Sequence, residues 1–81
     1  MEDWSRDNPI AEFTRQRRRE LKLTQVELSD ITGVGLRFIR ELEQGKPSLM
    51  MNKVNELLLF FGHTLTPIEL SREQRLKLIE D

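Results

Sequence analysis

The sequence predicts an all-α domain of four to five short helices, and three observations carry that expectation. Apolar residues recur at helical spacing, most clearly Val54, Leu57, Leu58 and Phe61 at i, i+3, i+4 and i+7. Residues that cap helix starts stand at Asn8-Pro9, Thr24 with Glu27, and Ser71 with Gln74. Glycines that stop helices stand at Gly33, Gly45 and Gly62.

Taken in order, residues 1–8 read as a loose tail in which Trp4 is the candidate anchor. The first helix is expected over residues 9–21, with Asn8 as cap and Pro9 at its first position. Its apolar side is thin (Ile10, Phe13, Leu21), and its middle is filled by arginines whose stems can cover apolar surface. The Thr24–Glu27 capping box opens a second helix over residues 25–32, ended by Gly33. Gly35 caps a third over residues 36–44, closed by Gly45 and Pro47. Asn52 is the expected cap of a fourth helix reaching Phe61. Residues 64–70 alternate weakly and suggest a short strand, which Pro67 confines to an edge. Residues 72–79 complete the chain as a short helix. This gives a tail (1–8), a main domain (9–62), and a C-terminal strand and helix (63–81) for dimer or partner contact.

Composition narrows the function. A chain of 81 residues holds one core, and 37% hydrophobic with 33% charged residues suits a compact helical domain. With no cysteine, disulfides and thiolate metal sites are excluded, and a cytoplasmic location is expected. The longest apolar run, residues 57–61, is too short to span a membrane, and the acidic start lacks a signal peptide's apolar core. One histidine, no tyrosine and no glycine-rich phosphate loop speak against an enzyme, a cofactor or a metal. His63, following Gly62, reads as a helix-end residue. Net charge is −1, yet residues 10–46 hold eight basic and six acidic side chains, a local +2.

A capped helix, a glycine turn and a second amphipathic helix make a helix-turn-helix over residues 24–43. Small Ser29 falls where the helices would cross, and Val34, Ile39 and Leu42 face inward. Leu36, Arg37, Arg40, Glu41 and Gln44 are left outward. An exposed face with two arginines suits the major groove, where guanidinium bonds guanine O6 and N7 together. Lys46, in the loop beyond, is placed to meet a phosphate.

Over residues 10–65 the sequence resembles the Cro/phage-repressor (XRE) helix-turn-helix family. The Thr24-Gln25 start, the Gly33 turn, Glu43 and Gly45-Lys46 carry the likeness. The run 33–47, the Phe61-Gly62-His63 ending and the segment after it are similar to HipB-type antitoxins. The resemblance implies a lambda-repressor-like fold and a repressor that regulates its own operon beside a HipA-like kinase toxin. It implies that Thr24 and Gln25 contact phosphates and that Gly35, Leu36, Arg37, Arg40 and Glu41 lie against base edges. It also implies a structural ion pair between Arg18 and Glu43. Leu36 and Phe38 stand where relatives often carry polar residues, so they either meet thymine methyls or, for Phe38, join the core.

Plainer readings stand beside these. Arg17-Arg18-Arg19 also fits a solvated helix face, and Arg37 could simply pair with Glu41 at i,i+4. Glu41 either accepts from a cytosine amine or orients Arg37 or Arg40. A module that neutralises a partner protein, a stand-alone regulator and a helical scaffold are the competing functions. One helix-turn-helix reads few base pairs, so a homodimer on a palindromic operator in double-stranded DNA is expected. Strand pairing of residues 64–70 across a two-fold axis would build it, with Phe60, Leu65 and Ile68 at the interface.

Overall fold

A computed structural model of the chain describes Trp4 and residues 8–79. The expected loose tail falls largely outside the described residues. Five helices follow in order: α1 (Pro9–Glu20), α2 (Gln25–Thr32), α3 (Leu36–Glu43), α4 (Met51–Phe60) and α5 (Arg72–Ile79). The fold is all-helical among the described residues. α1 packs on α3, and α2 packs on both α3 and α4.

Capping chemistry sets most of the starts. The Asn8 side chain accepts from the amides of Ile10 and Ala11 at 2.9 and 3.2 Å. The Thr24–Glu27 box is reciprocal: Glu27 N–H donates to Thr24 Oγ1 at 3.0 Å and Thr24 N–H to Glu27 Oε1 at 2.8 Å. Ser71 and Gln74 repeat the arrangement at α5. α4 departs from expectation. It starts at Met51 behind Met50, with no side-chain cap, and Asn52 lies inside the helix. The Met50 carbonyl already accepts from Lys53 and Val54, because Leu49 is drawn onto the core and turns the chain early.

Three helices stop the same way, with a left-handed residue that lets two backward amides reach the last carbonyls. Lys22, Gly45 and Gly62 hold φ of 59°, 87° and 77° after α1, α3 and α4. The paired bonds after α1 are Lys22 N–H to Arg19 and Leu23 N–H to Arg18. After α3 they are Gly45 to Leu42 and Lys46 to Glu41.

The core joins Leu28, Val34, Ile39, Leu42, Val54, Leu57 and Leu58, with Phe13, Phe38, Phe61 and Leu65 packed at its margin. Phe38 therefore leans on the core rather than standing free. α1 contributes Ala11 and Thr14, both fully buried. Nothing in α5 is buried: Leu76, Leu78 and Ile79 are scattered around the helix and leave no apolar face.

The strand expected over residues 64–70 is not formed. An isolated strand has no ladder for its amides and carbonyls, and no second strand lies among the described residues. Part of the segment finds another partner instead. Leu65 N–H and Thr64 Oγ1 both donate to Asn55 Oδ1 on α4, at 2.8 and 3.1 Å.

Candidate nucleic-acid interface

The turn between α2 and α3 is held by short polar contacts. Gly33 takes the left-handed backbone that the turn needs (φ +78°), Val34 dives into the core, and Gly35 opens α3. Ser29 does more than make room at a helix crossing: its hydroxyl donates to the Val34 carbonyl at 2.7 Å. Thr32 Oγ1 donates to the Leu28 carbonyl and accepts from Val34 N–H.

The inner end of α3 is fastened by Glu43. Its side chain is 3% exposed, and it gathers donors from two other helices. Arg18 of α1 meets it with two parallel bonds, Nε to Oε2 at 2.8 Å and Nη2 to Oε1 at 2.9 Å. The remaining Arg18 nitrogen, Nη1, donates to the Leu23 carbonyl in the α1–α2 turn. The Glu43 bond, opposed by burial and helped by charge, raises the Arg18 pKa above its ordinary value. Gln25 Nε2 donates to Glu43 Oε1 at 3.0 Å, and Arg15 donates to the Glu43 backbone carbonyl. α1, α2 and α3 thus meet at one carboxylate.

The arginine run divides three ways, as 100° per residue requires. Arg17 lies over the Phe13 ring and pairs with Glu20 at 3.4 Å. Arg18 is the buried ligand of Glu43. Arg19 lines a shallow polar hollow with Arg15, Thr24, Gln25 and Gln44. Thr24 and Gln25 therefore sit beside α1 arginines, a juxtaposition that spacing along the chain does not reveal. The Gln25 amide nitrogen is committed to Glu43, so a phosphate at this helix start would meet backbone N–H groups and neighbouring arginines.

The outer face of α3 carries Arg37, whose side chain is 93% exposed, and the exposed Arg40 and Gln44. Leu36 is half-buried at its start. Glu41 is half-buried between two cations: its Oε2 lies 3.7 Å from Arg37 Nε and 3.4 Å from Lys46 Nζ. Lys46 also approaches the Trp4 ring, 5.6 Å from its centroid, so Trp4 lies beside this face. Arg40 has no ion pair among the described residues.

The residues expected at a subunit interface are not gathered alike. Phe60 is partly exposed against the edge of Phe61, Leu65 packs on the core margin, and Ile68 is 75% exposed. Leu65 and Ile68 line one apolar groove with Pro9, Ile10, Phe13 and Leu58, while Phe60 lines another with Arg17 and Leu21. His63 stacks at a tilt on Phe13, 4.6 Å between centroids. No metal-binding group of His, Cys, Asp or Glu occurs among the described residues, and no helix there is long and apolar enough to cross a membrane.

Comparison with known proteins adds a family. A helix-turn-helix family model matches residues 15–68. The chain is 45% identical, over 53 residues, to an uncharacterized HTH-type transcriptional regulator, y4mF, of Sinorhizobium fredii. That match covers 65% of this chain and 70% of the relative. No solved structure gives a significant match.

Proposed function

The chain belongs to the helix-turn-helix family, and from that premise we propose that it is a sequence-specific transcriptional repressor acting as a homodimer on a palindromic operator. The observation that carries the reading is the division of α3. Ile39, Leu42 and Glu43 fix one side to the core, while Arg37 and Arg40 stand exposed on the other. In this reading Arg37, Arg40 and Glu41 face base edges, with Gly35 and Leu36 leading α3 into the groove. Thr24, Gln25 and Lys46 meet the flanking phosphates, aided by Arg15 and Arg19. Fluorescence anisotropy on a duplex spanning the region upstream of the gene tests it. Arg37→Ala and Arg40→Ala are each expected to weaken binding by roughly 1–3 kcal/mol and to relax selectivity at one position. Lys46→Ala weakens all sequences alike. Wild-type affinity in all three variants would sink the assignment.

Dimerisation places two recognition helices about 34 Å apart. The exposed Ile68 beside the Pro9–Phe13–Leu58 groove supports contact through the C-terminal segment. Ile68→Glu is expected to yield a folded monomer by sedimentation, with operator affinity much reduced.

A second, finer reading makes the protein the antitoxin of a kinase toxin. It draws on the likeness of residues 33–47 and 61–70 to HipB-type antitoxins, and on α5, whose Leu76, Leu78 and Ile79 are uncovered. Co-expression with the product of the adjacent reading frame, followed by purification of a complex, tests it; removal of residues 71–81 should abolish that complex.

A further inference from the structure

We propose that Glu41 is a specificity-determining residue that withholds charge from DNA of the wrong sequence. The inference rests on the DNA-binding reading above and concerns what the carboxylate does there. Among the described residues, Glu41 is the one acid beside Leu36, Arg37, Arg40, Gln44 and Lys46 on this face. A single oxygen, Oε2, serves both Arg37 Nε and Lys46 Nζ. Lys46 is bound to the same residue a second time, because its backbone N–H donates to the Glu41 carbonyl at 3.0 Å. That turn fixes Lys46 next to Glu41 regardless of side-chain motion. Arg37 and Lys46, at the front and beyond the end of α3, are thus both tied to one anion, while Arg40 has no ion pair among the described residues.

Non-specific binding depends on cations neutralising phosphates and releasing counterions. Here the Glu41 carboxylate offsets the charge that Arg37 and Lys46 bring to phosphates, and it faces the same negative backbone. Where guanine O6, thymine O4 or a purine N7 faces it, the carboxylate gains nothing in return, since these acceptors repel it. A base offering an exocyclic amine, cytosine N4 above all, gives the carboxylate a donor and frees both cations at once. Discrimination therefore comes from a penalty on wrong sites that only the right base lifts.

The test uses the full-length protein and a labelled 20-base-pair random-sequence duplex, titrated at several salt concentrations. Glu41→Gln keeps shape and the backbone bond but removes the charge. It is expected to bind this duplex about tenfold more tightly near 0.1 M salt, with the log–log salt slope steeper by about one. Glu73→Gln on α5 makes the same change in net charge and is expected to stay within twofold of wild type. If Glu41→Gln is unchanged or weaker while wild type binds with ordinary salt dependence, this inference fails and the DNA-binding reading survives. If Glu73→Gln matches Glu41→Gln, bulk charge explains the gain and the inference also fails. No salt-dependent binding by wild type would remove the DNA-binding reading and this one with it. Glu41→Ala, which also lacks the charge, must reproduce the Glu41→Gln gain, and failure to do so overturns the proposal.

Discussion

The Arg18 guanidinium and the Glu43 carboxylate meet edge to edge, in two parallel bonds of 2.8 and 2.9 Å, with side chains only 13% and 3% exposed. This pair joins α1 to the end of α3. Burial makes its rupture costly, since the survivor is left charged and unpaired. Arg18→Met and Glu43→Leu are each expected to destabilise by about 3–5 kcal/mol, and the double variant by clearly less than their sum. Urea melts of the four proteins measure the coupling.

Thr14 is fully buried in α1, and its hydroxyl has no hydrogen-bond partner. An unpaired buried hydroxyl costs about 1–3 kcal/mol, and valine keeps the same branched shape. Thr14→Val should therefore raise the urea midpoint, by about 1 kcal/mol in stability. A loss would mean that the hydroxyl is satisfied in solution.

Lys22 ends α1 in the left-handed region, where a side chain carries a penalty of roughly 1–2 kcal/mol. Glycine removes that penalty but adds unfolded-state entropy of about 0.5–1 kcal/mol. Lys22→Gly is expected to stabilise by about 0.5–1 kcal/mol, read from thermal melts. Lys22→Val should do the opposite.

Glu27 has its pKa lowered, first by the bond from Thr24 N–H and then by the Thr24 side chain. A carboxylate with a depressed folded pKa stabilises the fold above its unfolded value, about 4.3, and loses that contribution as pH falls through the lower folded value. Wild type should therefore exceed Glu27→Gln in stability at pH 7, with the gap closing below about pH 4. Melts of both proteins at pH 7, 4 and 3 check the convergence.

Much of the helical order was legible because it is written locally. Thr24 with Glu27, Ser71 with Gln74, and Asn8 with Pro9 act over three residues or fewer, and each forms its expected bonds. The start of α4 was not legible, because Met50 is placed by the packing of neighbouring Leu49 rather than by a cap. The expected strand depended on a partner that a single chain does not supply, and Asn55 took two of its polar groups instead. At the candidate interface, the outward arginines followed from helical periodicity. The gathering of Arg15 and Gln25 at Glu43 did not, since it depends on how α1 and α2 cross the end of α3.

The uncovered α5 bears on calorimetry. From Ser71 to Ile79 no side chain is buried, so unfolding this stretch hydrates little new apolar surface. Heat capacity of unfolding scales with that surface, at about 12–15 cal/mol/K per residue of a packed domain. A fully packed chain of this length would give about 1.0–1.2 kcal/mol/K, whereas packing that stops near residue 70 gives roughly 0.8–1.0. By its heat capacity the isolated chain therefore behaves as a smaller protein than its length implies, and its full value is reached only when another surface covers α5.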